Sequence, residues 1–269
     1  MLLFGFAGLF GKWLELPPLL IVLGRTSVAA AALAALRASR RAPAPPFEPR
    51  LIGNGVLLAL HWFAFFEAIR IASVAIGLLG YASFPLFVLL LERFILGRHW
   101  AAREAATALL VTAGLLLLVP EFSLANRVVQ GLAWGLVSGL TFALLAVLNR
   151  RWVAGRPAAD VALWQNVWAA AALLPLAIAA GPLPAIDGRS LVLLLVLGLV
   201  CTALAHTLFI AALNGVSAHR ASVIAALEPV YGIAAAFALL GEVPGLRIAA
   251  GAVLIVGAAM VATRRGPRG

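Results

Sequence analysis

Charge is the scarcest ingredient of this chain. Of its 269 residues only 11% are Asp, Glu, Lys or Arg, against roughly 25% in an ordinary soluble domain. With 64% hydrophobic residues and a mean hydropathy of +1.08, the sequence cannot cover a water-facing surface. A single cysteine, Cys201, excludes an intrachain disulfide and a thiolate metal cluster. The two-residue alternation of a barrel strand is missing as well, so segments that cross lipid have to be helices, which satisfy their own backbones. A formal charge of +10 could suggest nucleic acid, but no basic stripe is interleaved with aromatics.

What is present is a series of apolar runs. A window of about 19 residues gives ten, at approximately 2–16, 19–38, 51–71, 73–96, 103–119, 131–152, 159–180, 190–213, 217–240 and 245–262. Prolines punctuate the gaps: Pro17-Pro18, the stretch 42–49, Pro120, Pro157, Pro182 and Pro184. The expected fold is an all-α polytopic membrane protein of ten transmembrane helices. The N-terminal run lacks the basic start and small-residue cleavage site of a signal peptide and reads as the first membrane helix. It is short, with Lys12 and Glu15 already near its end, so either it tilts into the bundle or the true start lies upstream of Met1. With the N-terminus in the cytoplasm, only Lys12, Arg25, Arg70, Arg127, Arg189 and Arg247 of the twenty basic residues fall toward the outside. The other fourteen lie inside, a bias that places both termini in the cytoplasm.

The sequence also repeats. A shift of 144 brings Ser73 onto Ser217, Pro85 onto Pro229 and Gly97 onto Gly241. Five segments per half, residues 1–120 and 121–269, make the second half enter the membrane in the opposite sense. A 5+5 inverted repeat of this kind is typical of secondary transporters, with the binding site near the midplane between the halves. The run LEPVYGIAAAFALLGE, followed by a helix carrying Gly251 and Gly257, resembles the drug/metabolite transporter superfamily in its ten-helix EamA-like branch. Lys12 and Arg25 match common positions of that family. Phe84 before Pro85, where a second Glu would make the halves symmetric, and Arg98 after Gly97 depart from its pattern. The resemblance implies transport, commonly export of amino acids or related metabolites, with no cofactor.

Glu228 is the leading candidate for the chemistry. A carboxylate at membrane depth is costly and is most often functional; there it can exchange a proton for a cationic group of the substrate, or else serve packing beside Pro229. Pro85 and Pro229 are read as kinks that open a cavity or as ordinary bends. Tyr81 and Tyr231 flank them and suit either a small organic molecule or helix packing. His61 and Trp62 on the third segment and His206 on the eighth sit at similar depth under the 144 shift. A histidine there can shuttle protons or simply be hydrogen-bonded, and no metal-ligand spacing accompanies it. Lys12 and Arg25 are expected near the outer face, as a gate, an attractor for anions, or charges reaching the interface. Trp164 and Gln165 open the seventh segment and can bind substrate or a neighbouring helix. Gly131, Gly135 and Gly139, four apart, allow close packing within one chain or in a homodimer.

These features read as an inner-membrane secondary transporter of small metabolites, its pocket lined by the third, fourth, eighth and ninth segments, exporting by alternating access against protons. An uncoupled facilitator or exchanger is the nearest alternative, and a lipid scramblase a more distant one. The absence of a Walker motif excludes ATP hydrolysis by this chain, and no paired intramembrane nucleophile and base point to an enzyme. A reporter fused after Gly269 is expected to resist external labelling in intact cells; labelling from outside would overturn the assigned orientation.

Overall fold

Helices that are apolar on every face have no wet side to present, so they bury themselves in lipid and in one another. The computed structural model describes residues 2–41, 48–97, 102–119, 123–152, 155–216, 221, 224–225 and 227–263. Met1, Arg98, Arg220, Arg264, Arg265 and Arg268, on which part of the topology argument rests, lie outside them. Among the described residues there is no strand. The helices are α1 (Leu2–Trp13), α2 (Pro18–Ser39), α3 (Arg50–Ile71), α4 (Val74–Tyr81), α5 (Phe84–Leu96), α6 (Ala102–Leu118) and α7 (Arg127–Trp152). They continue as α8 (Ala158–Ala179), α9 (Gly188–Gly198), α10 (Ala205–Gly215), α11 (Glu228–Leu240) and α12 (Leu246–Thr263). A π-helical segment, Leu199–Leu204, joins α9 to α10.

Among the described residues, six helical stretches are long and apolar enough to cross a bilayer: α2, α3, Val74–Ile95, α7, α8 and Gly188–Gly215. Four shorter apolar helices accompany them. Helix α1 stops at Trp13, just before the Pro17-Pro18 pair that opens α2. Asp187 opens α9 by accepting the Ser190 N–H at 2.8 Å, a side-chain cap on an otherwise unpaired donor.

The expectation of kinked prolines is corrected by the backbone. Segment 73–96 is two helices that meet at Ala82-Ser83, and Pro85 lies in the first turn of α5. Pro229 likewise lies in the first turn of α11, entered through a turn in which the Leu227 carbonyl accepts the Val230 N–H at 3.1 Å. Proline is tolerated there because a first-turn N–H has no intrahelical partner to lose. The two elements match closely. Each has 13 residues, and each ends on a left-handed glycine, Gly97 at φ 68° and Gly241 at φ 67°. A side chain would strain both positions.

Glycine also sets how closely the helices approach. Helix α7 lies on α4, where a Cβ on Gly135 would stand 2.8 Å from the Gly80 Cα. Gly131 faces Ala72 and Gly139 faces Ser83 on the same line. The 131–135–139 stripe is therefore consumed by packing inside the chain and presents no free dimer face. Gly5 of α1 meets the backbone of α11 at Glu228 and Gly232, and Gly114 of α6 meets Gly251 of α12.

Polar contacts gather at the two ends of the bundle. Arg37 pairs with Asp160, and Arg156 with Glu48 at 2.7 Å, holding one set of loops together. At the same end the Arg151 guanidinium donates to the Ile95 carbonyl at 2.9 Å and Arg150 to that of Val216 at 2.6 Å. Basic residues placed for topology thus also close helix C-termini, where the carbonyls carry partial negative charge. At the other end Arg127 donates to the Ile71 carbonyl at 2.8 Å, and Arg70 pairs with Glu67. There Glu242, just past α11, accepts the Val74 N–H at 3.1 Å and caps α4. Between the ends, Leu174, Ile178, Val192, Leu208, Phe237 and Val253 are exposed, as on a surface meant for lipid rather than water.

Gly135→Val is expected to cost about 1–3 kcal/mol, because backbone opposes backbone and neither can yield. Gly53→Ala, with nothing within 4 Å of its new methyl, should be neutral or slightly stabilising. Thermal unfolding of both variants in detergent checks the pair.

Candidate functional site

The interruption between α4 and α5 and the start of α11 bring polar groups into the interior. Glu228 is 4% exposed, and the Tyr81 hydroxyl donates to its Oε1 across a long 3.5 Å. Tyr81 stacks on Phe84, and Phe142 of α7 lies 5.7 Å from it and 4.5 Å from His61. The Nδ1 of His61 is 3.0 Å from the carbonyl and 2.9 Å from the hydroxyl of Ser138. Glu228, Tyr81, His61 and Phe142 line a small interior cavity of about 20 Å³, completed by Phe4, Ala7, Arg25, Trp62 and Phe65. Such a space takes a water molecule; a metabolite needs the helices to part.

Arg25 is the largest departure from expectation. It does not sit at the outer face. It is 1% exposed, the eighth residue of α2 and well inside the bundle. Its Nε donates to the Thr202 Oγ1 at 2.8 Å, its Nη2 to the Cys201 carbonyl at 3.2 Å, and its plane lies 3.8 Å from the Trp62 ring centre. Both acceptors belong to the π-helical segment. An extra residue in a helical turn leaves a carbonyl out of the usual ladder, which makes that of Cys201 available to a side chain. Gly198, with the Arg25 carbonyl 3.2 Å from where its Cβ would stand, lets α9 come this close to α2.

A second polar group lies behind Trp62. His206 Nε2–H donates to Gln165 Oε1 at 2.9 Å, Gln165 Nε2 to Asn149 Oδ1 at 2.6 Å, and Asn54 Nδ2 to the same oxygen at 2.8 Å. The row ties α3, α7, α8 and α10 together with every member buried. His206 approaches the cavity only through Trp62, at 5.8 Å between rings.

The structure therefore gathers Glu228, Tyr81, His61, Trp62 and Arg25 at one cavity. Pro85 and Pro229 stand next to it as helix starts, and Gln165 and His206 form the row behind. Tyr231 is 40% exposed on the outward side of α11 and does not join them. Lys12 is half-buried in the last turn of α1, and Trp164 stacks on Trp168 at 6.4 Å, both away from the lining. The eighth segment, expected in the wall, is displaced by α1, α2 and α7. Asn54 and Asn149 went unnoticed in the sequence, although amides inside apolar runs are the signal that would have found them. Thr202 and Phe142 carry no such signal.

The family model described as the EamA-like transporter family matches residues 1–119 and 129–264. The chain belongs to that family. No curated protein matches this EamA-like chain. One solved crystal structure of a protein superposes with a TM-score of 0.76 at 22% identity, over 97% of this chain and 94% of that one, so the fold is shared.

Asn149→Leu would strand the donors of Asn54 and Gln165, each buried. A destabilisation of about 1–3 kcal/mol is expected, read as a lower unfolding midpoint in detergent; an unchanged midpoint would mean the row contributes nothing.

Proposed function

We propose that this EamA-like protein is an inner-membrane secondary transporter that exports small organic metabolites such as amino acids by alternating access. In this reading its ten membrane segments form a 5+5 inverted repeat, residues 1–120 and 121–269, with both termini in the cytoplasm. The cavity beside Glu228 is the substrate site in an occluded state. One observation carries the reading: a buried carboxylate at a helix start shares a small interior cavity with aromatic rings and a guanidinium. Burying a carboxylate is costly, so Glu228 favours holding a proton or facing a cationic group brought by the substrate. The two occupants compete. Substrate leaving on one side frees the carboxylate to take a proton, and the proton's release on the other side readies it for substrate. The small size of the cavity supports this cycle, because a metabolite can enter it only if the helices move.

The interrupted helices supply parts that can move. Helices α5 and α11 begin beside the cavity, with Phe84 and Glu228 at corresponding first positions. Only the second carries a titratable group, so a single proton site is expected per cycle. In proteoliposomes with an imposed pH gradient, Glu228→Gln is expected to abolish gradient-driven amino-acid transport while the protein still inserts and stays monodisperse. Full gradient-driven activity in that variant would remove Glu228 from the coupling.

A further inference from the structure

Among the described residues no carboxylate forms an ion pair with Arg25. It shares the cavity with Glu228 without direct contact. Two of its nitrogens are engaged by the Thr202 hydroxyl and the Cys201 carbonyl, while Nη1 is buried with no hydrogen-bond partner. A guanidinium is always charged and presents its donors as a planar fork. Fixing Nε and Nη2 on the π-helical segment and one face on Trp62 holds that fork in a single orientation, with Nη1 left over.

The matching position in α8 sharpens the point. Helices α2 and α8 both have 22 residues, each follows a proline, Pro17 or Pro157, and Arg25 and Gln165 are their respective eighth residues. Gln165 is satisfied by His206 and Asn149, and a neutral amide serves helix packing there at little electrostatic cost. An arginine held in the same place meets a large desolvation penalty that packing does not require. A bound anion removes the penalty.

We propose that Arg25 is the specificity-determining residue for a substrate carboxylate, with Nη1 as the donor reserved for it and Thr202 and Trp62 as the groups that aim it. The proposal rests on the transport reading above and narrows it to metabolites bearing a carboxylate. With Glu228 in the same cavity, the pair receives a molecule whose carboxylate faces Arg25 and whose ammonium faces Glu228. A zwitterion then adds no net charge to the interior, whereas an amine without the acid leaves Arg25 uncompensated. The carboxylate contributes selectivity, and the ammonium contributes competition with the proton.

The test uses the full chain in proteoliposomes with compounds that share one carbon skeleton: phenylalanine, phenylalaninamide and phenethylamine, and the corresponding alanine set. Wild-type protein should prefer the acid over the amide by roughly tenfold to a hundredfold in apparent affinity, as a charge-assisted hydrogen bond implies. Arg25→Gln should level the acid with the amide, and Arg25→Lys should keep a weakened preference, since an ammonium gives charge without the fork. Thr202→Val should raise the KM for the acid more than that for the amide, which a purely structural bond would not do. If acid, amide and amine move equally well through the wild type, Arg25 selects nothing and the inference falls while the transport reading stands. Failure of all six compounds to move would overturn the amino-acid reading and this inference with it. Should Arg25→Gln not fold, the wild-type acid-to-amide ratio alone decides.

Discussion

Lipid offers a polar group nothing, and that constraint organises this protein more than any single contact. Every carbonyl, amide and charge inside the bundle has to be answered by another part of the same chain or by a passenger. Most are answered internally: arginines close the ends of α3, α5 and α10, Glu242 closes the start of α4, and amides pair across four helices. Some buried atoms, Asn54 Oδ1 and Asn166 Oδ1 among them, keep no hydrogen-bond partner, and two buried charges stand together. Arg25 and Glu228 line one small cavity, each deeply buried and neither neutralised by the other. A chain with so little charge thus keeps two opposite ones apart at a single cavity in its interior.

The halves contribute unequally to that gap. Arg25 comes from α2, and its positional counterpart in α8 is the neutral Gln165. Glu228 begins α11, and its counterpart beginning α5 is Phe84. Similar backbones have therefore been given opposite charges at unrelated positions. The result is a polarised cavity, with an arginine from α2 and a carboxylate from α11 in its lining.

Much of this could be read from residues alone, because lipid enforces simple rules. Continuous apolar runs announced the helices, and the shift that aligned Pro85 with Pro229 and Gly97 with Gly241 has a local counterpart in two elements of equal length and equal ending. Glu228 stood out because a carboxylate in such a run is expensive. What escaped was depth and facing. Arg25 looked peripheral because it lies near the start of its segment, but α2 begins at Pro18 and two turns already carry it into the core. Tyr231 looked internal because it follows Pro229, yet it is 40% exposed while Glu228 and Gly232 on the same turn are buried. The π-helical segment that holds Arg25 had no sequence mark.

The cap that Glu242 places on α4 has a mechanical meaning. That carboxylate sits just past the end of α11, while the hydroxyl of Tyr81, at the last residue of α4, reaches Glu228 at the beginning of α11. The two helices are thus strapped together head to tail at both extremities, like a parallelogram with two fixed corners. A pair tied in this way resists shear and swings as one plate. The turns on either side of it, at Ala82-Ser83 and at Leu227, each adjoin a residue that lines the cavity, Tyr81 or Glu228.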